Sequence, residues 1–308
     1  MKNHLLLITG SILLLLVAIA FGTGELFTVL SFPFTRLGDG LRQLSLSGTV
    51  GNITAIVLYA IIALLPLTYL LRKKWGTEDL LLPLCTALLF YVLYYMINPT
   101  LRPAVLQNSV GDGILSGVIY STLLSWAVIK LISRCDTMRS ETLFHTLRLV
   151  LIACAVLLLP ATAVSFDSCR AEIVTIQTAN TAPNLDLTAT FALVFFSFAV
   201  IALEYLLTAV LLLLAAKLVH ELERDPYSPA CTLTAQQTAH WARRSVRIVI
   251  LTNTALQIVQ LLSAKYVHHI AVNFHIPLLG IAVPFALLAL SRLLCAAREL
   301  KDDNNLFI

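Results

Sequence analysis

The chain has 308 residues, 58% of them hydrophobic and 12% charged, with a formal net charge of +4 and a mean hydropathy of +0.87. A soluble domain carries about 25% charged residues, so this composition excludes a water-soluble globular fold and makes lipid the solvent. The positive excess is no nucleic-acid signal, because the basic residues flank apolar runs and do not interleave with aromatics on one polar face.

A membrane crossing needs about 20 apolar residues at a rise of ~1.5 Å each. Eight such runs occur, near 5–28, 53–71, 80–97, 114–133, 145–164, 188–219, 246–264 and 277–297. The first follows Lys2 and also carries Ala18-Ile19-Ala20, which fits a cleavable signal peptide. The apolar continuation Glu25–Leu30 argues for a retained crossing instead, and both readings stay open. The second run ends at Arg72-Lys73-Lys74 and the fourth at Arg134.

With the amino terminus inside, 16 Lys and Arg residues fall on inner segments. Five fall outside: Arg36, Arg42, Arg102, Arg170 and Lys265. The positive-inside rule therefore predicts that both termini are cytoplasmic. The predicted fold is an all-α polytopic transmembrane bundle of about eight crossings. It is one integral membrane domain over 1–308, with four crossings in 1–140 and four in 141–308.

Between the runs, Ser31–Asn52 and Ser165–Leu187 read as outer loops, the first with an interfacial turn or short helix at Arg36–Leu44. His220–Arg247 reads as the main inner loop, broken by Pro226 and Pro229 and closed by a short helix. Thr234-Ala235-Gln236-Gln237 has the hydroxyl and amide spacing of a capping box at that helix's start. Cys169 alone among the six cysteines is placed outside, so no internal disulfide framework is expected. No repeat relates the two halves.

Several runs carry polar or small residues that need an explanation. In the fourth, Gly113, Gly117, Ser121 and Ser125 recur every four residues and predict a close helix–helix contact. Tyr91, Tyr94 and Tyr95 read as an aromatic belt. Pro66, Pro160 and Pro284 lie in or near crossings, where they can kink helices.

Glu204 is the sharpest candidate. It lies inside Thr188–Val219, and a carboxylate at the bilayer centre costs on the order of 3 kcal/mol. The window 194–213 holds 13 Val, Leu, Ile or Phe residues. At about −0.3 to −0.6 kcal/mol each they offset that cost, so the helix inserts with Glu204 facing inward. It is either a proton or cation site or a neutral group hydrogen-bonded to another helix.

Asn253, Gln257 and Gln260 in the seventh run share a predicted face by their spacings of four and three. That face is either interhelical glue or the wall of a polar cavity opposite Glu204. His268, His269 and His275 form a weaker candidate metal or pH-sensing cluster at the outer end of the last hairpin. Their spacing matches no standard metal motif. No HExxH, GxSxG or Walker pattern occurs, so no enzyme activity and no cofactor are expected.

The last third also carries Pro226-Tyr227-Ser228, then Ala242-Arg243-Arg244-Ser245-Val246-Arg247-Ile248, and the terminus Arg298–Ile308. In these it resembles a family of bacterial multi-pass membrane proteins of unknown function, whose tail pattern it leaves at Asn305 and Phe307. The resemblance implies the bacterial cytoplasmic membrane and no mechanism. The expected partners are the lipid bilayer and other membrane proteins, with no nucleic acid. The function expected is that of a non-enzymatic membrane component or regulatory partner. The alternative is a secondary transporter with a polar intramembrane site around Glu204, its small-molecule or ion substrate unspecified.

Overall fold

Thr23–Leu46 forms a single amphipathic helix, α1, in the computed structural model, which describes residues 23–71, 76–103, 106, 109–135, 138–180, 186–263 and 277–306. Ser31–Asn52 is therefore not a loop. The chain stays helical through Pro33, Gly38 and Gly40 to Leu46 because α1 has a helix to pack on. A Cβ on Gly38 would stand 2.7 Å from Met96 Cβ and 2.9 Å from the Met96 carbonyl, so only glycine permits this approach. Arg42 also donates to the Ile97 carbonyl at 3.4 Å. The turn comes later, at Gly48, whose φ of 141° with ψ of −178° is a conformation nearly exclusive to glycine.

Gly38→Ala is thus expected to push α1 off its neighbour and cost about 2 kcal/mol. Nothing lies within 4 Å of a Cβ on Gly40, so Gly40→Ala should be neutral or mildly stabilising. Unfolding midpoints of the two variants in detergent check the contrast.

All elements among the described residues are helical, and no strand occurs. After α1 come α2 (Thr49–Thr68), α3 (Leu81–Ile97), α4 (Ser109–Cys135), α5 (Ser140–Ala179), α6 (Thr188–Arg224), α7 (Pro229–Ser263) and α8 (Leu278–Leu306). Six helices are long and apolar enough to cross a membrane. The run at 80–97 is a shorter apolar helix of 17 residues, about 25 Å long. The first expected run lies outside the described residues up to position 22. The helices run on through Pro66, Pro160 and Pro284, the last fully buried.

The described residues divide into two compact units, Thr23–Met138 and Arg139–Ile308. In the first, Ala63, Cys85, Leu89, Val92, Met96, Leu115 and Ile119 form the core. The buried side of α4 is thus Leu115, Ser116 and Ile119. The predicted ridge does not pack as expected: Gly113 is buried, Gly117 has open space at its Cβ position, and Ser121 and Ser125 are exposed. Larger apolar side chains on the adjacent face make the contact, and they gain more by burial than the small ridge could. Tyr91 and Tyr94 are exposed, each edge-on to Tyr95 at 4.8 and 5.5 Å.

In the second unit, α5, α6 and α7 have 40, 37 and 35 residues. At ~1.5 Å per residue each is longer than the ~30 Å hydrocarbon core. Ser165–Leu187 was expected to be a loop, but α5 continues to Ala179. Cys169 and Ile176, spaced by two turns, bury against Val194 of α6 with Ile173, Leu187 and Phe191 around them.

The expected inner loop is only the turn 225–228. There Ser228 donates to the Asp225 carbonyl at 3.1 Å, and the Tyr227 N–H reaches Asp225 Oδ1 at 3.0 Å. Ser228 is the true cap: its Oγ accepts the Cys231 N–H at 3.1 Å, with Pro229 at the first helical position where no N–H is needed. The Thr234–Gln237 box lies inside α7, where Thr238 Oγ1 donates to the Thr234 carbonyl at 2.8 Å.

The pairing of α8 with α7 fixes an unexpected register. Gly280 lies against Val249, Leu287 clusters with Ala242, Leu294 with Ala235, and Arg298 donates to Thr232 Oγ1 at 2.9 Å. The apolar helix α8 therefore runs antiparallel along the polar half of α7, which carries Gln236, His240, Arg243, Arg244 and Arg247.

Candidate functional site

Glu204 lies inside the second unit with 3% of its surface exposed. Its partner is the start of α8. Gly280 is the third residue of that helix, and its N–H donates to Glu204 Oε1 at 3.2 Å. The first N–H groups of any helix have no intrahelical acceptor. Here the first bond of the i→i−4 ladder is made by Ile281, to the Pro277 carbonyl at 3.1 Å. Glu204 thus caps a helix 76 residues away in sequence, and the positive end of the helix dipole favours a carboxylate oxygen there. A Cβ on Gly280 would stand 3.0 Å from Glu204 Cγ, 3.0 Å from Val249 Cγ1 and 3.1 Å from Glu204 Oε1. Three helices close on this point, which explains the glycine.

The amide face is only partly as predicted. Asn253 and Gln260 are buried, but Gln257 is exposed. At 100° per residue the buried stripe Val249, Asn253, Leu256 and Gln260 centres to one side of Asn253. Gln257 is displaced ~40° to the other side. Asn253 is one turn from Val249 and donates its amide back to the Val249 carbonyl at 3.0 Å. Gln260 is 11 residues beyond Val249, about 16 Å along the helix. The structure therefore brings Glu204 to Gly280 and Val249, and does not gather Gln257 and Gln260 around it. His268, His269 and His275 lie outside the described residues.

Two polar clusters in the first unit were not expected from the sequence. Asp79, 2% exposed, accepts the Gly76 N–H at 2.9 Å, Trp126 Nε1 at 3.1 Å and Lys130 Nζ at 3.0 Å. Lys130 also lies 5.8 Å over the Tyr69 ring, which meets Trp126 edge-on. The Gly76 N–H, then the Trp126 and Lys130 bonds, hold the Asp79 carboxyl below its ordinary value of 3.8 against the opposing effect of burial. In the other cluster, Arg102 pairs with Asp112 and donates to the Tyr95 carbonyl at 2.8 Å. The available signal was charge of opposite sign at run ends: Asp79 precedes the run 80–97 and Lys130 lies near the end of the run 114–133, while Arg102 follows the first of these and Asp112 precedes the second.

Cavities occur elsewhere. One of about 260 Å³ lies in the first unit between Leu41, Asn52, Tyr59 and Asn98. One of about 870 Å³ lies between α7 and α8, and one of about 350 Å³ beside it is lined by His240, Arg243, Arg244 and Arg247. Compared with family models, curated proteins and solved structures, the chain finds no match in any of the three.

Proposed function

We propose that the chain is a non-enzymatic membrane component that acts by binding, in the bacterial cytoplasmic membrane with both termini inside. The observation that carries this reading is the use made of Glu204. Its carboxylate is occupied as the cap of α8, in close packing with Gly280 and Val249. A coupling site of a transporter needs a carboxylate reachable by its ion and a polar surround. Of the amides expected to supply that surround, Gln257 is exposed, Gln260 lies about 16 Å along α7 from Val249, and Asn253 donates within its own helix to the Val249 carbonyl. The charge distribution supports the orientation, and the resemblance of the last third supports the membrane.

The test uses the full chain in vesicles loaded with a pH-sensitive dye. No proton flux above that of empty vesicles is expected. Glu204→Gln keeps an acceptor for Gly280 and should stay within about 1 kcal/mol of the parent in stability. Glu204→Leu should cost more, about 2 kcal/mol, because the Gly280 N–H loses its partner in a buried site. A flux that vanishes in the Gln variant at unchanged stability would overturn the reading and make Glu204 a coupling residue.

A further inference from the structure

The cavity of about 870 Å³ between α7 and α8 is lined at one end by Phe285 and Leu288, and further along by Ser291, Arg292 and Glu299, with Arg243 reaching it from α7. Its wall is mostly apolar, with Leu293, Cys295 and Ala296 continuing beyond Arg292, and the arginines stand beside that apolar surface, a pairing that suits an amphiphile better than a soluble metabolite. Arg243 and Arg292 make no ion pair among the described residues, and both are exposed. Arg243 also lines the neighbouring cavity with His240, Arg244 and Arg247, so positive charge is continuous along this flank of α7. Only Glu299, at the far end, opposes it.

The two guanidiniums need a partner more than the rest of the wall does. The antiparallel register sets them beside the apolar run of α8, where arginine is costly unless it meets an anion or reaches a headgroup region. Guanidinium forks match phosphate oxygens in two-point geometry, and basic pockets between membrane helices are sites for phospholipid headgroups.

We infer that the α7–α8 groove binds an anionic phospholipid. Its phosphate sits with Arg243 and Arg292, and its acyl chain lies along Phe285 and Leu288. This deepens the reading of the chain as a binding component. The titration below reads the groove alone and the flux experiment reads Glu204 alone, so each can fail without the other.

The test titrates the full chain, purified in mild detergent, with phosphatidylglycerol and separately with phosphatidylcholine, counting bound lipid by native mass spectrometry. Phosphatidylglycerol is expected to bind at least about tenfold more tightly. The double variant Arg243→Gln/Arg292→Gln should lose that preference with unchanged helix content, because both side chains are exposed. Arg170→Gln, an exposed arginine on α5, should retain it and controls for diffuse attraction. Glycerol 3-phosphate, the headgroup chemistry without acyl chains, should not displace the lipid. Absence of a preference in the parent chain, an equal loss in Arg170→Gln, or a double variant that binds like the parent would each overturn the assignment. Displacement by glycerol 3-phosphate would make the groove a soluble phosphate site and overturn the lipid assignment.

Discussion

Asp79→Asn is expected to destabilise the Thr23–Met138 unit by about 3 kcal/mol, because it leaves Lys130 beside an apolar wall without its carboxylate. Lys130 has 15% of its side chain exposed and Asp79 2%, so solvent does little to replace the pair. Lys130→Met should cost less, because Asp79 keeps the Gly76 N–H and Trp126 bonds. The double variant should be more stable than the sum of the singles, by about 1–3 kcal/mol of coupling. Detergent unfolding of the four proteins, followed by circular dichroism, measures the cycle; additive singles would show that the pair contributes nothing.

The pH dependence has a fixed sign. The folded Asp79 carboxyl is held below its ordinary value of 3.8. Its contribution is therefore full above that value and is lost as pH falls through the lower folded value. Stability of the unit should therefore be insensitive to pH near neutrality as far as Asp79 is concerned, and the Asn variant should lack the acid-side decline.

The pair at the other end of the same unit should respond asymmetrically. Asp112 lies in the first turn of α4 with 23% of its side chain exposed, while Arg102 has 8% exposed. Removing the arginine leaves a carboxylate that the helix N-terminus and water both favour. Removing the carboxylate leaves a guanidinium in a dry site with the Tyr95 carbonyl and the Met96 sulfur. Asp112→Asn is thus expected to cost about 3 kcal/mol and Arg102→Met about 2 kcal/mol. The opposite order in the same unfolding measurement would show that Arg102 acts through packing of its stem and not through its charge.

Apolar runs and the charges between them determined, without any structure, that this is an all-helical membrane protein, and placed the described helices other than α1 near their observed positions. Those signals are local: about 20 apolar residues insert wherever the rest of the chain lies. The helix ends were not legible in the same way. Ser31–Asn52 and Ser165–Leu187 read as loops because they are polar, and only the contacts at Gly38, Cys169 and Ile176 make helix the better state there.

Glu204 stood out as a buried carboxylate, and it is one. Its partner Gly280 is 76 residues away, and Asp79 and Lys130 are 51 apart. No periodicity within a run encodes such pairs. The rotation of α7 also decided which amides are buried, turning Gln257 out while Asn253 and Gln260 stay in. The groove of Arg243, Ser291 and Arg292 exists only because α8 pairs with the polar half of α7, a register set by packing at Gly280, Leu287 and Leu294 and by no feature of either helix alone.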